Sequence, residues 1–148
     1  MRFLATLAVL VVLPAPACAL ADRNHPVDAG TFAARIVRLI AENDYADAWV
    51  FLHPLHRRAA PLERYVQCEN LTPIRARLGS VRAIRFRRAL VRVAGTPEPL
   101  NGTKVTLRIV IDGAPIVETV GLVPAAHGWV WLLPAARYAA YLAGGCPQ

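Results

Sequence analysis

The chain has 148 residues, 55% of them hydrophobic, and a formal net charge of +7 at neutral pH. This length suits one domain with its own core, and no apolar run reaches the ~20 residues that a membrane-spanning helix needs. All but one of the 17 basic residues are arginine, and this bias, with the high Ala and Val content, is typical of a GC-rich genome.

The first 21 residues have the pattern of an export signal. Arg2 supplies the positive start, Phe3–Leu13 supplies the apolar run, and Ala19-Leu20-Ala21 is a small-x-small cleavage site. Residues 22–148 then form a single mature domain. We therefore expect a secreted, periplasmic or cell-envelope protein.

The three cysteines fit an exported protein. Cys18 offers an alternative to simple secretion, lipid attachment, but Ala15-Pro16-Ala17 lacks the large aliphatic residue expected three places before a lipidated cysteine. Cleavage removes Cys18 and leaves Cys68 and Cys146, an even pair that most simply forms a disulfide in an oxidising compartment. In the chain-entropy treatment, a disulfide that closes a loop of this length stabilises the folded protein by about 4 kcal/mol. Two free buried thiols are the alternative.

Helical spacing begins at the start of the mature domain. Asp28 or Thr31 caps the first predicted helix, and Glu42-Asn43 ends it. The apolar face of this helix consists of Phe32, Ile36, Leu39 and Ile40. The pattern therefore predicts a helix that buries one side against the rest of the domain.

A second helix and a sharp corner follow. Asp44 is the expected N-cap, and the helix stops near Leu52 because Pro54 lacks an N–H and opens a new turn. The corner carries two histidines, His53 and His56.

A third helix completes the helical part. Arg57–Ala60 is expected to be a linker, and Pro61 takes the favoured first position of a helix over Pro61–Cys68. Before this helix, the stretch Asp44–Arg57 is expected to form a short helix, a sharp corner and another short helix that opens at Pro54.

Beyond Gly79 the apolar period changes from helical to alternating. The expected strands are Val81–Val93, Val105–Ile111, Ile116–Val123 and Trp129–Leu133, with a hairpin loop over Ala94–Gly102 and a tight turn at Asp112-Gly113. In the first strand, Ile84 and Phe86 have the opposite parity to Val91, so we expect a β-bulge at Arg87-Arg88. Residues 137–143 are expected to form a short tail that brings Cys146 back.

The order of elements predicts an α+β fold, with three N-terminal helices packed on one face of a curved antiparallel sheet of about four strands. The chain resembles the nuclear transport factor 2-like superfamily, which has a cystatin-like cone. The residues that carry the resemblance are Asn43-Asp44-Tyr45-Ala46-Asp47-Ala48-Trp49, Leu52, Pro54, Arg57, Tyr65, Cys68 and Gly128-Trp129-Val130-Trp131. It spans Asp28 to Cys146 and implies a curved sheet that wraps a long helix. Superfamily members include isomerases, dehydratases and ligand-binding proteins, so the resemblance does not define a function.

The resemblance implies a cavity between the helices and the sheet. The candidates for its lining are Trp49, His53, Tyr65, Trp129 and Trp131. In an enzyme of this kind, His53 or His56 would act as general base while Tyr65 polarises a carbonyl. The alternative is structural, with His53 at a proline turn and Tyr65 in the core.

The sequence predicts no metal site and no cofactor. His53, His56 and Cys68 offer too few ligands for tetrahedral zinc, and Pro54 disrupts the spacing of the two histidines. We also expect no membrane span.

Arginines cluster in and around the first predicted strand: Arg75, Arg77, Arg82, Arg85, Arg87, Arg88 and Arg92. Such a face could bind anionic envelope polymers, or it could be solvated. No aromatic residues alternate with these arginines, so nucleic-acid binding is not expected.

The leading hypothesis for function is an exported, non-catalytic binding or interaction module. Its partner would be a small apolar ligand or an envelope protein, with a possible homodimer through the sheet face. The alternatives are a small isomerase or dehydratase with a histidine base, and a binder of anionic polymers.

Overall fold

We describe residues 28–147 from a computed structural model of the chain. The helices are α1 (Ala29–Ala41), α2 (Tyr45–Val50), α3 (Pro54–Ala59), α4 (Leu62–Glu69) and α5 (Ala135–Leu142). The strands are β1 (Leu78–Val91), β2 (Leu100–Ile111), β3 (Ala114–Ala125) and β4 (Gly128–Trp131). They form one antiparallel sheet in the order β1-β2-β3-β4, with α1 packed against it. The predicted export signal, including Cys18, lies outside the described residues.

Helix α1 is closed at both ends by local hydrogen bonds. The Asp28 carboxylate accepts from the backbone N–H of Gly30 at 2.9 Å and of Thr31 at 3.0 Å, as an N-cap should. At the other end Asn43 takes the left-handed conformation, with a φ of 63°. The backbone N–H of Asp44 then donates to the Leu39 carbonyl at 2.8 Å, which completes a Schellman ending.

Four helices precede the sheet in the described part of the chain, where the sequence predicted three. Helix α3 starts at Pro54, the first helical position expected for this proline, and continues through most of the predicted Arg57–Ala60 linker. It forms because His53 caps it, accepting from the Leu55 N–H at 3.3 Å, while Pro54 occupies its first position. Asp44 stands at the start of α2, but its side chain makes no capping hydrogen bond there.

The sheet buries the face that the alternating pattern of β2 predicts. Val105, Leu107 and Ile109 are buried toward the helices, whereas Lys104 and Arg108, at alternate positions, are exposed. The turn to β3 is at Asp112-Gly113, as expected. Both turn residues have positive φ, 50° and 83°, and this backbone suits a two-residue hairpin.

The bulge in β1 is displaced from its predicted position at Arg87-Arg88. The register shifts between Ala83 and Arg85, and again between Leu78 and Val81. After the shift between Ala83 and Arg85, Phe86 pairs with Val105 and lies on the helix side of the sheet. Space exists there because α1 presents Gly30, where an added Cβ would lie 2.8 Å from the Ala83 Cβ. The alternation of apolar residues along β1 carries no information about this close approach of α1.

The segment that follows α2 pairs with the outer edge of β4. Leu52 forms a parallel bridge with Trp131, with the His53 N–H donating to the Trp131 carbonyl at 2.9 Å. The predicted tail is helix α5. The predicted Cys68–Cys146 disulfide is confirmed, with the Cα atoms 5.2 Å apart, and it joins α4 to the end of the chain.

The buried residues form a main cluster and a smaller one. The main cluster joins α1, α2, α4 and α5 to the helix side of the sheet. The smaller cluster consists of Val91, Val93 and Val123. Over the described residues, no helix is long and apolar enough to cross a membrane.

Candidate ligand cavity

A cavity of about 830 Å³ lies between α1, α4, β3, the loop after β1 and the start of α5. Its volume falls within the ~300–1,000 Å³ that small-molecule sites typically occupy. Apolar residues supply much of its wall: Ala33, Ile36, Val37, Ile40, Val120, Leu122, Trp131 and Leu133. Several of them come from α1, so the apolar face predicted for that helix also lines this space.

Tyr65 supplies a hydrogen-bonding group that the protein leaves unused. The residue is only 2% exposed and lines the cavity. Within residues 28–147 its hydroxyl has no hydrogen-bond partner. No side-chain N or O atom in this range is both buried and unpartnered, so the hydroxyl must be accessible from the cavity. Burial, and then the charge of Glu69, raise the pKa of Tyr65, so the group stays protonated.

Several other polar atoms of the cavity wall are already engaged, whereas Arg92 and Lys104 of the lining form no ion pair within residues 28–147. The Tyr45 hydroxyl donates to the Asn43 side-chain oxygen at 2.7 Å. That oxygen also accepts from the Ile74 N–H at 2.8 Å, while the Asn43 amide nitrogen donates to the Ile74 carbonyl at 3.0 Å. The Trp131 indole N–H donates to the Ala48 carbonyl at 2.7 Å.

An ionic group at one side of the cavity was not found from the sequence. Glu69 is 8% exposed, forms an ion pair with Arg137 and accepts from the Tyr141 hydroxyl at 2.6 Å. Burial, and then the hydrogen bond to Glu69, raise the pKa of Tyr141. The three residues come from α4 and α5, which are far apart in the chain, and no local motif connects them. A charged residue on the apolar side of α4 was the only available signal.

His56 is fully buried, and both of its ring nitrogens face backbone groups. Its Nδ1 accepts from the Leu133 N–H at 2.9 Å, and its Nε2 lies 3.1 Å from the Ala94 carbonyl oxygen. The proton therefore belongs on Nε2, which donates to that oxygen. Burial, partly offset by the bond to Ala94, lowers the pKa of His56, so the ring is neutral. The imidazole ties α3 to the ends of β1 and β4.

The remaining candidates from the sequence lie in different places. Trp131 and Tyr65 line the cavity, whereas Trp49, His53 and Trp129 are not part of its wall. Trp49 donates its indole N–H to the Ala60 carbonyl at 2.7 Å. Trp129 borders a separate surface depression beside Pro124.

His53 caps α3 and so has a structural role of its own. Burial, and then the charges of Arg58 and Arg57, lower the pKa of His53. Its ring lies 5.6 Å from that of His56. Across residues 28–147, no three His, Cys, Asp or Glu residues are grouped so that they could hold a metal ion.

Comparisons of the chain with protein-family models, with curated proteins and with solved structures found no match.

Proposed function

We propose that this protein is an exported, non-catalytic binding module that holds a small, mostly apolar ligand in the cavity beside α1. The single observation that carries the proposal is the Tyr65 hydroxyl, which belongs to a buried side chain on the wall of this mostly apolar cavity and has no hydrogen-bond partner within residues 28–147. A hydrogen bond from this hydroxyl to a ligand oxygen would contribute about 1 kcal/mol to binding.

The polar group of the ligand should be neutral. Tyr65 stays protonated and donates a hydrogen bond, which suits a carbonyl, ether or hydroxyl oxygen. The Glu69 carboxylate beside Tyr65 is paired with Arg137, so the hydroxyl is not flanked by a net positive charge that would attract a carboxylate. We therefore expect a hydrophobic ketone, ester or alcohol rather than a fatty-acid anion with its head group at Tyr65.

Catalysis by a histidine base has less support in the arrangement of the site. A general base needs a lone pair that can reach a substrate proton, and the lone pair of His56 accepts from Leu133. His53 uses its Nδ1 to cap α3. Neither residue borders the cavity.

Export is part of the proposal. The pattern of the first 21 residues supports it, and a disulfide between Cys68 and Cys146 is compatible with an oxidising compartment.

Displacement of a fluorescent probe tests the proposal. N-phenylnaphthylamine, a neutral apolar dye, should gain fluorescence on binding the wild-type protein, and a medium-chain methyl ketone should displace it more effectively than the alkane of equal length. Tyr65→Phe should remove most of this preference, with about a fivefold loss in ketone affinity, because one hydrogen bond is worth ~1 kcal/mol. Alkane affinity should stay the same.

The dye itself provides the decisive control. No binding of dye or ketone by the wild-type protein would refute the proposal. Equal ketone affinity in wild type and Tyr65→Phe would refute the role of Tyr65 alone.

A further inference from the structure

The side of the sheet that faces away from the helices carries five exposed cations. They are Arg82, Arg85 and Arg87 on β1 with Lys104 and Arg108 on β2, and we call this surface the basic sheet face. Alternation along β2 determines the side, because Val105, Leu107 and Ile109, which alternate with Lys104, Thr106 and Arg108, are buried toward the helices. Directly paired residues of β1 share the face of their partners.

Two of the cross-strand pairs place like charges opposite each other. Arg82 pairs with Arg108, and Arg87 pairs with Lys104. Like charges at paired positions destabilise a sheet. Among the described residues none of these five cations has an acidic partner, since the ion pair in that range joins Arg137 to Glu69. The repulsion is therefore uncompensated in the free protein.

We propose that the basic sheet face binds a phosphate-bearing linear polymer. Adjacent strands lie about 4.8 Å apart, and alternate residues of one strand are about 7 Å apart, so the cations form a two-dimensional grid that successive phosphates can contact. Guanidinium groups match phosphate oxygens with two parallel hydrogen bonds. Bound phosphates would also remove the repulsion between the paired cations.

The other residues of the face favour a phosphate polymer without bases over a membrane or a nucleic acid. Thr106 and Thr119 lie among the cations, with their hydroxyl oxygens 3.1 Å apart. Val117, opposite Arg108, is 60% exposed and is a small apolar group compared with the Trp, Phe and Leu that insert into bilayers. No aromatic residue pairs on this side to stack bases, because Phe86 lies on the helix side.

Three glutamine variants test the proposal with long-chain inorganic polyphosphate as the probe. Arg85→Gln and Arg108→Gln should each weaken binding about fivefold at low salt, and wild-type affinity should fall steeply as salt is added. Arg58→Gln, an exposed residue of α3, makes the same charge change elsewhere and should leave binding nearly unchanged.

Thermal stability provides a second readout that net charge does not explain. Without polymer, Arg108→Gln should raise the melting temperature by about 2 °C, because it relieves the repulsion with Arg82. Arg85→Gln should not, because Arg85 pairs with Thr106.

Several results would overturn the proposal. These are absence of polyphosphate binding at low salt, equal losses in all three variants, and tighter binding to phosphatidylglycerol vesicles or to oligothymidylate than to polyphosphate. If Arg108→Gln does not fold, the polyphosphate affinity of Arg85→Gln compared with that of Arg58→Gln still tests the proposal.

Discussion

Two tyrosines near the cavity are equally buried but differ in the hydrogen bonding of their hydroxyls. Tyr65 and Tyr141 are both almost fully buried, and their rings lie 5.9 Å apart. The Tyr141 hydroxyl donates to the Glu69 carboxylate, whereas the Tyr65 hydroxyl has no partner within residues 28–147. The first group stabilises the fold, and the second is available for a ligand.

The two hydroxyls should therefore respond differently to removal. Tyr141→Phe should lower the free energy of unfolding by about 1.5–3 kcal/mol, since it deletes a hydrogen bond to a charged acceptor. Tyr65→Phe should change it by less than about 0.5 kcal/mol. Urea unfolding of both variants measures the difference, and equal losses would contradict the assignment of Tyr65 as unpartnered.

The buried histidine gives the fold a pH dependence with a definite sign. The pKa of His56 is lowered in the folded protein by burial, and that of His53 is lowered too. The unfolded chain therefore takes up protons first as the pH falls. The free energy of unfolding should therefore be highest above pH ~6.5, the pKa of histidine in the unfolded chain, and should fall as the pH drops below that value.

Urea unfolding at neutral pH and at mildly acidic pH measures this decline. His53→Asn keeps a capping side chain and should remove only the His53 contribution. His56→Phe should cost about 2–4 kcal/mol at neutral pH, because it leaves the Leu133 N–H and the Ala94 carbonyl without partners. Stability that does not vary across this pH range would refute the assignment.

At the scale of elements, the corner between α1 and α2 depends on Asn43. Its backbone ends α1 in the left-handed conformation, and its side chain holds Ile74 and the Tyr45 hydroxyl. Tyr45 lines the cavity, so this corner also positions part of the cavity wall.

Two substitutions separate the backbone role of Asn43 from its side-chain role. Asn43→Gly should lose only the side-chain hydrogen bonds, about 1–2 kcal/mol. Asn43→Ala should lose about 1 kcal/mol more, because alanine is strained at a φ of 63°. Thermal unfolding of the two variants tests this order, and a more stable alanine variant would contradict it.

The disulfide joins the segment that follows α5 to α4. Cys68 and Cys146 are 78 residues apart, so reduction should cost about 4 kcal/mol in the chain-entropy treatment. This is a large share of the ~5–15 kcal/mol that stabilises a typical domain. Reductant should therefore lower the melting temperature of the wild-type protein clearly, while a double serine variant should melt low with or without it. An unchanged melting temperature on reduction would contradict the prediction.

At the scale of the whole molecule, the two edges of the sheet differ. The edge at β4 is covered by the bridge between Leu52 and Trp131. The edge strand β1 carries Arg82, Arg85, Arg87 and Arg88, all exposed. Charged residues on an edge strand oppose pairing with another chain, so these arginines also protect the protein against edge-to-edge association.

The charge of the basic sheet face bears on the predicted homodimer. Two copies that associate through this face bring together two sets of cations, and their repulsion is screened by salt. We therefore expect a monomer at low ionic strength. A dimer through the basic sheet face should form only at high ionic strength. Sedimentation equilibrium at two salt concentrations measures this, and a dimer that weakens with salt would require a different interface.

The sequence by itself determined the features that depend on neighbouring residues. The α+β class, the antiparallel sheet and the Asp112-Gly113 turn follow from local periodicity and turn chemistry. The pairing of Cys68 with Cys146 followed from the even number of cysteines that the predicted cleavage would leave. Of the residues named from the sequence as ligand-cavity candidates, Tyr65 and Trp131 lie on the wall of the space beside α1, and ligand binding there stays a proposal.

The tertiary structure decided what depends on contacts between distant segments. The register of β1 shifts between Ala83 and Arg85, where α1 approaches the sheet at Gly30, and not at Arg87-Arg88. Glu69 meets Arg137 and Tyr141 only because α4 and α5 lie side by side. His56 has a structural role because Ala94 and Leu133, far along the chain, surround its ring. Such contacts leave no periodic signal in the sequence, since each depends on where separate elements pack.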